Sequence, residues 1–110
     1  MQHVTPITAD FAISPQITAA EMAQLKSAGF TTVICNRPDH EEAGQPTFAE
    51  IRAAAEAAGL EAHHIPIRPG QATDADVDAF ASAVTTAKGK VLAYCRSGAR
   101  AQSLYSARRR

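Results

Sequence analysis

The sequence has no tryptophan and few other aromatic residues, with two tyrosines and four phenylalanines in 110 residues. An aromatic platform on which single-stranded nucleic acid would stack is therefore not expected. Charge of one sign is also missing, because 11 basic residues balance 11 acidic ones, which argues against a general basic field. No apolar run approaches the ~20 residues that span a bilayer. We expect neither nucleic acid nor a membrane as a partner.

Cysteine is scarce too, and this limits both the chemistry and the compartment. Cys35 and Cys95 are too few for a disulfide framework. A reactive thiol suits a reducing compartment, so we expect a cytoplasmic protein. The adjacent His63 and His64 would face opposite sides of a strand, which disfavours a shared metal ion. The sequence therefore predicts no metal site and no cofactor.

Apolar segments alternate with helical patterns along the chain. The segments expected as strands are Asp10–Ser14, Phe30–Cys35, Glu61–Ile67 and Val91–Tyr94. The helices between them are expected to begin at Thr18, Thr47 and Thr73 and to end at Gly29, Gly59 and Gly89. Pro66 lacks the N–H that a central strand needs, so its strand is expected to be an edge strand or to end there. This order predicts an α/β fold with a mostly parallel central sheet flanked by helices.

The run Cys95–Arg100 is the strongest candidate for a functional site. It follows the last predicted strand and precedes a helix-forming stretch, so backbone N–H groups converge on one anion site. The same field favours a thiolate at Cys95, and Arg100 can bind an oxyanion through two hydrogen bonds. We predict that Cys95 and Arg100 are catalytic. The residues between them are predicted to bind the substrate: Arg96, Ser97, Gly98 and Ala99.

A second polar turn, Asn36–Asp39, is expected at the same edge of the sheet, since ligands bind beyond the carboxyl ends of parallel strands. Arg37 is a candidate for substrate contact. Asp39 is assigned to the catalytic group, where it would orient Arg100 or act as an acid; the alternative is a turn aspartate that caps local N–H groups. Cys35 is either a buried strand residue or the partner of Cys95 in a regulatory disulfide.

Several segments, in this order, are similar to those of a known family. They are Phe11–Ile17, Gly29–Ile34, Asn36–Asp39, Gly44–Pro46, His64–Ile67 and Val91–Gly98. The chain resembles the phosphatase-like domain of beta-lactamase hydrolase-like proteins, a bacterial relative of the dual-specificity and tyrosine phosphatases. The resemblance implies a protein-tyrosine-phosphatase-like fold over residues 1–110, with Cys95 as the nucleophile. The family's last helix runs further, which suggests that the final helix is cut short here.

Three features depart from the phosphatase pattern. The tyrosine phosphatases place five residues between nucleophile and arginine, whereas four separate Cys95 from Arg100, as in rhodanese-type sulfurtransferases. Ala101 stands where the phosphatases carry serine or threonine. The segment Arg68–Gly70 has no carboxylate where dual-specificity enzymes carry their general acid, and a general acid contributes about 10²–10⁴ in rate. The nearest candidates are Asp74, Asp76 and Asp39.

Three functions follow as expectations. The first is slow hydrolysis of a phosphomonoester through a thiophosphate on Cys95, with Ser97 donating a hydrogen bond to the leaving thiolate. The second is sulfur transfer through a persulfide on Cys95, which needs no carboxylic acid. The third is an oxyanion-binding module without turnover. The expected partner is a small anionic substrate, either a phosphate ester or a sulfur compound. The family's fusions also suggest a partner enzyme in sulfur metabolism.

Overall fold

Five strands form one sheet in the computed structural model, which describes residues 3–107. The strands are β1 (Thr5–Pro6), β2 (Phe11–Ser14), β3 (Phe30–Cys35), β4 (Glu61–His64) and β5 (Lys90–Tyr94). Their order is β1-β2-β5-β3-β4, and only β1 runs antiparallel to its neighbour. The predicted mostly parallel α/β architecture is confirmed. The two-residue β1 was not predicted, because so short a segment carries no periodicity.

Helices follow the strands as the alternation predicts. They are α1 (Met22–Ser27), α2 (Phe48–Ala57), α3 (Asp74–Thr86) and α4 (Ala99–Ala107). The Thr47 hydroxyl accepts the Glu50 N–H at 3.2 Å, and the Thr73 hydroxyl accepts the Asp76 N–H at 3.1 Å. These side chains satisfy N–H groups that have no partner within the first turn of a helix. The predicted starts of α2 and α3 are confirmed.

Each face of the sheet is covered by its own apolar cluster. One cluster lies under α3 and α4 and is built on Phe11, Ile13, Ile34, Phe80, Val91, Ala93, Leu104 and Tyr105, among others. The other lies under α1 and α2 and contains Ile17, Met22, Leu25, Val33, Ile51, Leu92 and Tyr94, among others. Burial on both faces explains why these strands are continuously apolar. β5 lies at the centre of the sheet, between β2 and β3.

The third long strand ends earlier than predicted. β4 stops at His64 rather than Ile67, although it does lie at an edge of the sheet. The chain beyond it stays beside the end of β3, since the Ile65 N–H donates to the Cys35 carbonyl and the Asn36 Nδ2 donates to the Ile65 carbonyl. Pro66 has no N–H to extend a ladder. The segment 65–67 is thereby placed against the turn that follows β3.

No helix within residues 3–107 is both long enough and apolar enough to cross a membrane. In the same part of the chain, no three His, Cys, Asp or Glu side chains are grouped so that they could hold a metal ion.

Candidate active site

The Cys95 loop lies at the carboxyl end of the central strand. The Cys95 N–H points at the Ser14 carbonyl at 3.4 Å, and the Gly98 N–H donates to the Cys95 Sγ at 3.0 Å. Gly98 has φ of +95°, and a Cβ there would lie 3.4 Å from the Ser14 oxygen. Glycine relieves both constraints. Cys95 itself is fully buried.

One edge of the Arg100 guanidinium is held by protein. Its Nη1 donates to Glu41 Oε2 at 2.8 Å and its Nη2 to Glu41 Oε1 at 2.7 Å. The second Nη1 hydrogen goes to the Ile67 carbonyl at 3.0 Å. A guanidinium has five N–H groups in one plane, so the Nε–H and one Nη2–H are left as a second, parallel fork. The Arg100 side chain is 10% exposed, which makes its orientation well defined.

Arg100 interacts with Cys95 as well as with Glu41. The Glu41 carboxylate raises the pKa of Arg100 most strongly, and the charge and hydrogen bonding of Cys95 act in the same direction. Thiol and guanidinium are therefore in each other's immediate field. A fork of two N–H groups matches two oxygens of a phosphate or sulfate. The structure places Cys95 and Arg100 next to each other, and their catalytic roles stay predictions.

Glu41 was not predicted, yet it is the carboxylate on Arg100. The hydrogen bond from Arg100, followed by that from Arg37, lowers its pKa from 4.5 to about 2. Glu41 Oε1 accepts a hydrogen bond from Arg37 Nε at 2.9 Å as well. Nothing local in the sequence marks this residue, because its main partner lies 59 positions away. Only the four-residue spacing from Arg37 hints at a pair.

Arg37 is buried rather than open to solvent. Its side chain is 3% exposed, and its Nη1 donates to Gln16 Oε1 at 3.0 Å. Its carbonyl lies 3.0 Å from His64 Nε2, and the Cys35 thiol donates to the same oxygen at 3.3 Å. Arg37 therefore reaches the candidate site through Glu41.

The structure gives Asp39 a local role. Its Oδ1 accepts the Phe48 N–H at 2.8 Å, at the first residue of α2. Of the alternatives for Asp39, the capping of a nearby N–H is therefore the one confirmed. The expectation that Asp39 orients Arg100 is wrong, because Glu41 occupies that position.

The remaining loop residues face outward. Arg96 is exposed and pairs with Glu42 at 3.2 Å. Ser97 and Ala99 are exposed, and the Ser97 hydroxyl accepts the Ala99 N–H at 3.4 Å. The hydrogen bond to the Cys95 sulfur comes from the Gly98 N–H, rather than from Ser97 as expected.

Cys35 lies on the face of the sheet that α1 and α2 cover. It pairs in register with Tyr94 and belongs to the apolar cluster under α1 and α2. Both cysteines are free thiols, so the disulfide alternative is not realised in this structure. Burial raises the pKa of the Cys35 thiol above its usual value, which makes it a poor nucleophile.

Two cavities border the Arg100–Glu41 pair. One of about 470 Å³ is lined by Arg100 and by mostly apolar residues of the 67–77 segment and α4. The other, of about 450 Å³, is lined by Glu41 and by polar residues of the loops after β3 and β4. The pair thus stands between two concave surfaces at the carboxyl edge of the sheet.

Comparison with solved structures places this geometry in a known fold. A crystal structure of a candidate phosphatase from Neisseria meningitidis superposes with a TM-score of 0.88 at 40% identity, covering 99% of this chain and 77% of that one. The P. aeruginosa protein TpbA in complex with phosphotyrosine superposes with a TM-score of 0.65 at 19% identity, over 87% of this chain and 54% of that one. The second likeness shows the fold alone. The expected protein-tyrosine-phosphatase-like fold is confirmed.

Sequence comparison identifies the family. A beta-lactamase hydrolase-like protein of Agrobacterium fabrum is 40% identical over 93 residues, which are 84% of this chain but only 22% of that protein. A match of this kind concerns one part of a longer relative. Residues 3–109 match the family described as beta-lactamase hydrolase-like protein, phosphatase-like domain. With its fold, its cysteine loop and this match in agreement, the chain belongs to that phosphatase-like domain family.

Proposed function

We propose that the chain is a cysteine-dependent phosphatase that hydrolyses phosphomonoesters through a thiophosphate on Cys95. The single observation that carries this proposal is that protein oxygens bind only some of the Arg100 N–H groups. Glu41 and the Ile67 carbonyl bind one part of its guanidinium, while the Nε–H and one Nη2–H donate to no oxygen of residues 3–107. A phosphate would find a rigid fork beside a sulfur nucleophile. The phosphotyrosine complex of TpbA, which has the same fold, is consistent with this chemistry.

The reaction consists of two displacements at phosphorus. In the first, the Cys95 thiolate forms a bond to phosphorus as the bond to the ester oxygen breaks, and that oxygen departs with the electron pair as an alkoxide or phenolate, which takes a proton from water. Backbone N–H groups and the Arg100 fork stabilise the three equatorial oxygens, where charge spreads in the transition state. In the second, water attacks phosphorus and breaks the P–S bond. The products are inorganic phosphate and the regenerated thiolate, stabilised by the Gly98 N–H.

Sulfur transfer is the second candidate, and the loop length favours it. Only four residues separate Cys95 from Arg100, the spacing of rhodanese-type loops. In this reaction the thiolate attacks the outer sulfur of thiosulfate, the S–S bond breaks, and sulfite leaves with the electron pair. Cys95 then carries a persulfide. No carboxylic acid takes part, which agrees with the composition of the segment 68–73.

The adduct on Cys95 distinguishes the two reactions. The protein would be quenched in acid during turnover of 4-nitrophenyl phosphate, and in parallel after exposure to thiosulfate, and its Cys95 peptide weighed by mass spectrometry. A phosphoryl group after the first treatment supports the phosphatase. One added sulfur after the second, with no phosphoryl adduct and no nitrophenol release, supports sulfur transfer. Anion binding without either adduct would reduce the chain to a binding module.

The role of Asp39 can be tested with Asp39→Asn. Because its Oδ1 accepts a backbone N–H, the amide is expected to leave turnover of 4-nitrophenyl phosphate within about twofold of wild type and to lower stability by no more than about 1 kcal/mol. Nitrophenolate leaves without protonation, whereas phenyl phosphate responds to an acid. The experiment measures kcat/KM on both esters and the unfolding midpoint. A selective loss of about 10² or more on phenyl phosphate would show that Asp39 is the general acid.

A further inference from the structure

We propose that a second anion-binding position, formed by Arg37 and Arg96, lies beside the phosphate cradle, and that it selects phosphate esters that carry another anionic group. The inference rests on the proposed phosphatase and specifies its substrate class. The carboxylate of Glu42 occupies this position in the structure. An anionic group of the substrate would replace that carboxylate and bind the same two guanidinium groups.

Arg37 supplies a buried donor that lacks a hydrogen bond. Its Nη2 is fully buried and makes no hydrogen bond within residues 3–107, although Glu42 Oε1 lies 3.5 Å away. Its other nitrogens are used, Nε by Glu41 and Nη1 by Gln16. Burying a charged donor without a partner is costly, so this N–H favours an anion that approaches more closely than Glu42 does.

Arg96 supplies the second, mobile cation. It directly follows the nucleophile, its side chain is 67% exposed, and its Nη2 lies 3.2 Å from Glu42 Oε2. The Glu42 side chain is 51% exposed and bridges the two arginines with one oxygen each. The exposed ion pair between Arg96 and Glu42 contributes little stability, and the buried Arg37 Nη2 makes no hydrogen bond that would be lost when Glu42 leaves. Glu42 can therefore rotate into solvent at small cost and leave a pair of guanidinium groups behind.

The second position is close to the first. Glu41 Oε1 accepts from Arg37 Nε at 2.9 Å and from Arg100 Nη2 at 2.7 Å, so the two nitrogens are at most 5.6 Å apart. The Glu41 carboxylate thus bridges Arg37 and Arg100, the proposed phosphate-binding arginine. The Nη2 of Arg37 forms part of the second position. A small ester can place its phosphate on Arg100 and a carboxylate or second phosphate on Arg37 and Arg96.

The test compares charged and neutral esters of matched shape. The probes are meta- and para-carboxyphenyl phosphate and para-carboxymethylphenyl phosphate, each paired with its carboxamide. The measured quantity is the ratio of kcat/KM for acid over amide, which cancels effects common to both esters. Arg96→Gln is expected to lower this ratio about fivefold for at least one pair, since it removes a donor. Glu42→Gln is expected to raise it by a similar factor, because the internal competitor loses its charge.

The opposite signs are decisive, since both substitutions break the same ion pair. If that pair were merely structural, both variants would shift the ratio in the same direction or leave it unchanged, and the inference would be overturned. Arg52→Gln and Glu56→Gln break a comparable exposed pair on α2 and serve as matched controls with no expected change. Calorimetric binding of the esters to Cys95→Ser separates the two proposals. Failure to bind any ester contradicts the phosphatase, whereas equal binding of acid and amide contradicts only the second position.

Discussion

Cys95→Ser is expected to abolish turnover of 4-nitrophenyl phosphate, with a loss in kcat of at least about 10⁴. A serine hydroxyl in the same place cannot ionise near neutral pH, and the Gly98 N–H would then face a neutral oxygen instead of a thiolate. The anion cradle itself uses backbone N–H groups and Arg100, which the substitution leaves in place. Binding of inorganic phosphate should therefore persist. The measurements are nitrophenol release and phosphate titration.

Cys35→Ser is the matched control for this experiment. Cys35 is also buried, but it belongs to the apolar cluster under α1 and α2, whereas Cys95 lies in the loop that leads into α4. Its substitution is expected to keep kcat within about threefold of wild type while costing about 1 kcal/mol of stability, because its thiol donates only to the Arg37 carbonyl. Equal loss of activity in both variants would indicate unfolding or trace contamination, and would contradict the assignment of Cys95 as nucleophile.

The effects of Arg100→Lys and Glu41→Gln on kcat/KM are expected to be non-additive. Lysine cannot hold Glu41 with one edge and phosphate with the other, so its kcat/KM should fall by about 10²–10³. Glu41→Gln leaves Arg100 less firmly oriented and should cost about tenfold. In the Arg100→Lys background the same glutamine should cost little, because the guanidinium it would orient is gone. The coupling is read from a double-mutant cycle of kcat/KM.

The effect of Glu41→Gln on stability is also expected to depend on pH. Since the pKa of Glu41 is lowered to about 2 in the folded protein, its contribution to stability is complete above about pH 4.5 and is lost as the pH falls toward 2. The difference in unfolding midpoint between wild type and Glu41→Gln should therefore shrink over that interval and stay constant above it. Glu42→Gln, which removes the charge of the adjacent carboxylate, serves as the control. Additive losses in the cycle, or a pH-independent difference, would contradict the positioning role of Glu41.

The sequence predicted what depends on near neighbours. Thr47 and Thr73 marked the starts of α2 and α3, because each side chain is satisfied by a residue three positions away. The mostly apolar runs predicted β2, β3 and β5, since a sheet covered on both faces favours apolar side chains. The loop from Cys95 to Arg100 is predicted to be an anion site because its N–H donors are consecutive in the sequence.

What the sequence could not predict depends on distant partners. Glu41 lies in a polar loop, where nothing in the local sequence distinguishes it from other glutamates. Its role depends on the contact with Arg100, 59 positions later. The turn after β3 has several polar residues, and local chemistry cannot say which of them contacts Arg100. Asp39 was a candidate because its turn lies at the carboxyl edge of the sheet, but its carboxylate accepts an N–H of α2 instead. Arg37 was a candidate for substrate contact, and its side chain is buried, with Nη1 donating to Gln16 and Nε to Glu41.

The central position of β5 has a consequence for how the chain acquires its shape. Val91 pairs with Phe11, 80 positions earlier, and Lys90 pairs with Phe30, 60 positions earlier. Such distant pairings are slow to form, because loop closure must precede any gain from contact. β2 and β3 do not pair with each other, because β5 lies between them. The central ladders of the sheet therefore require the last strand, and the same strand positions the Cys95 loop at the carboxyl edge.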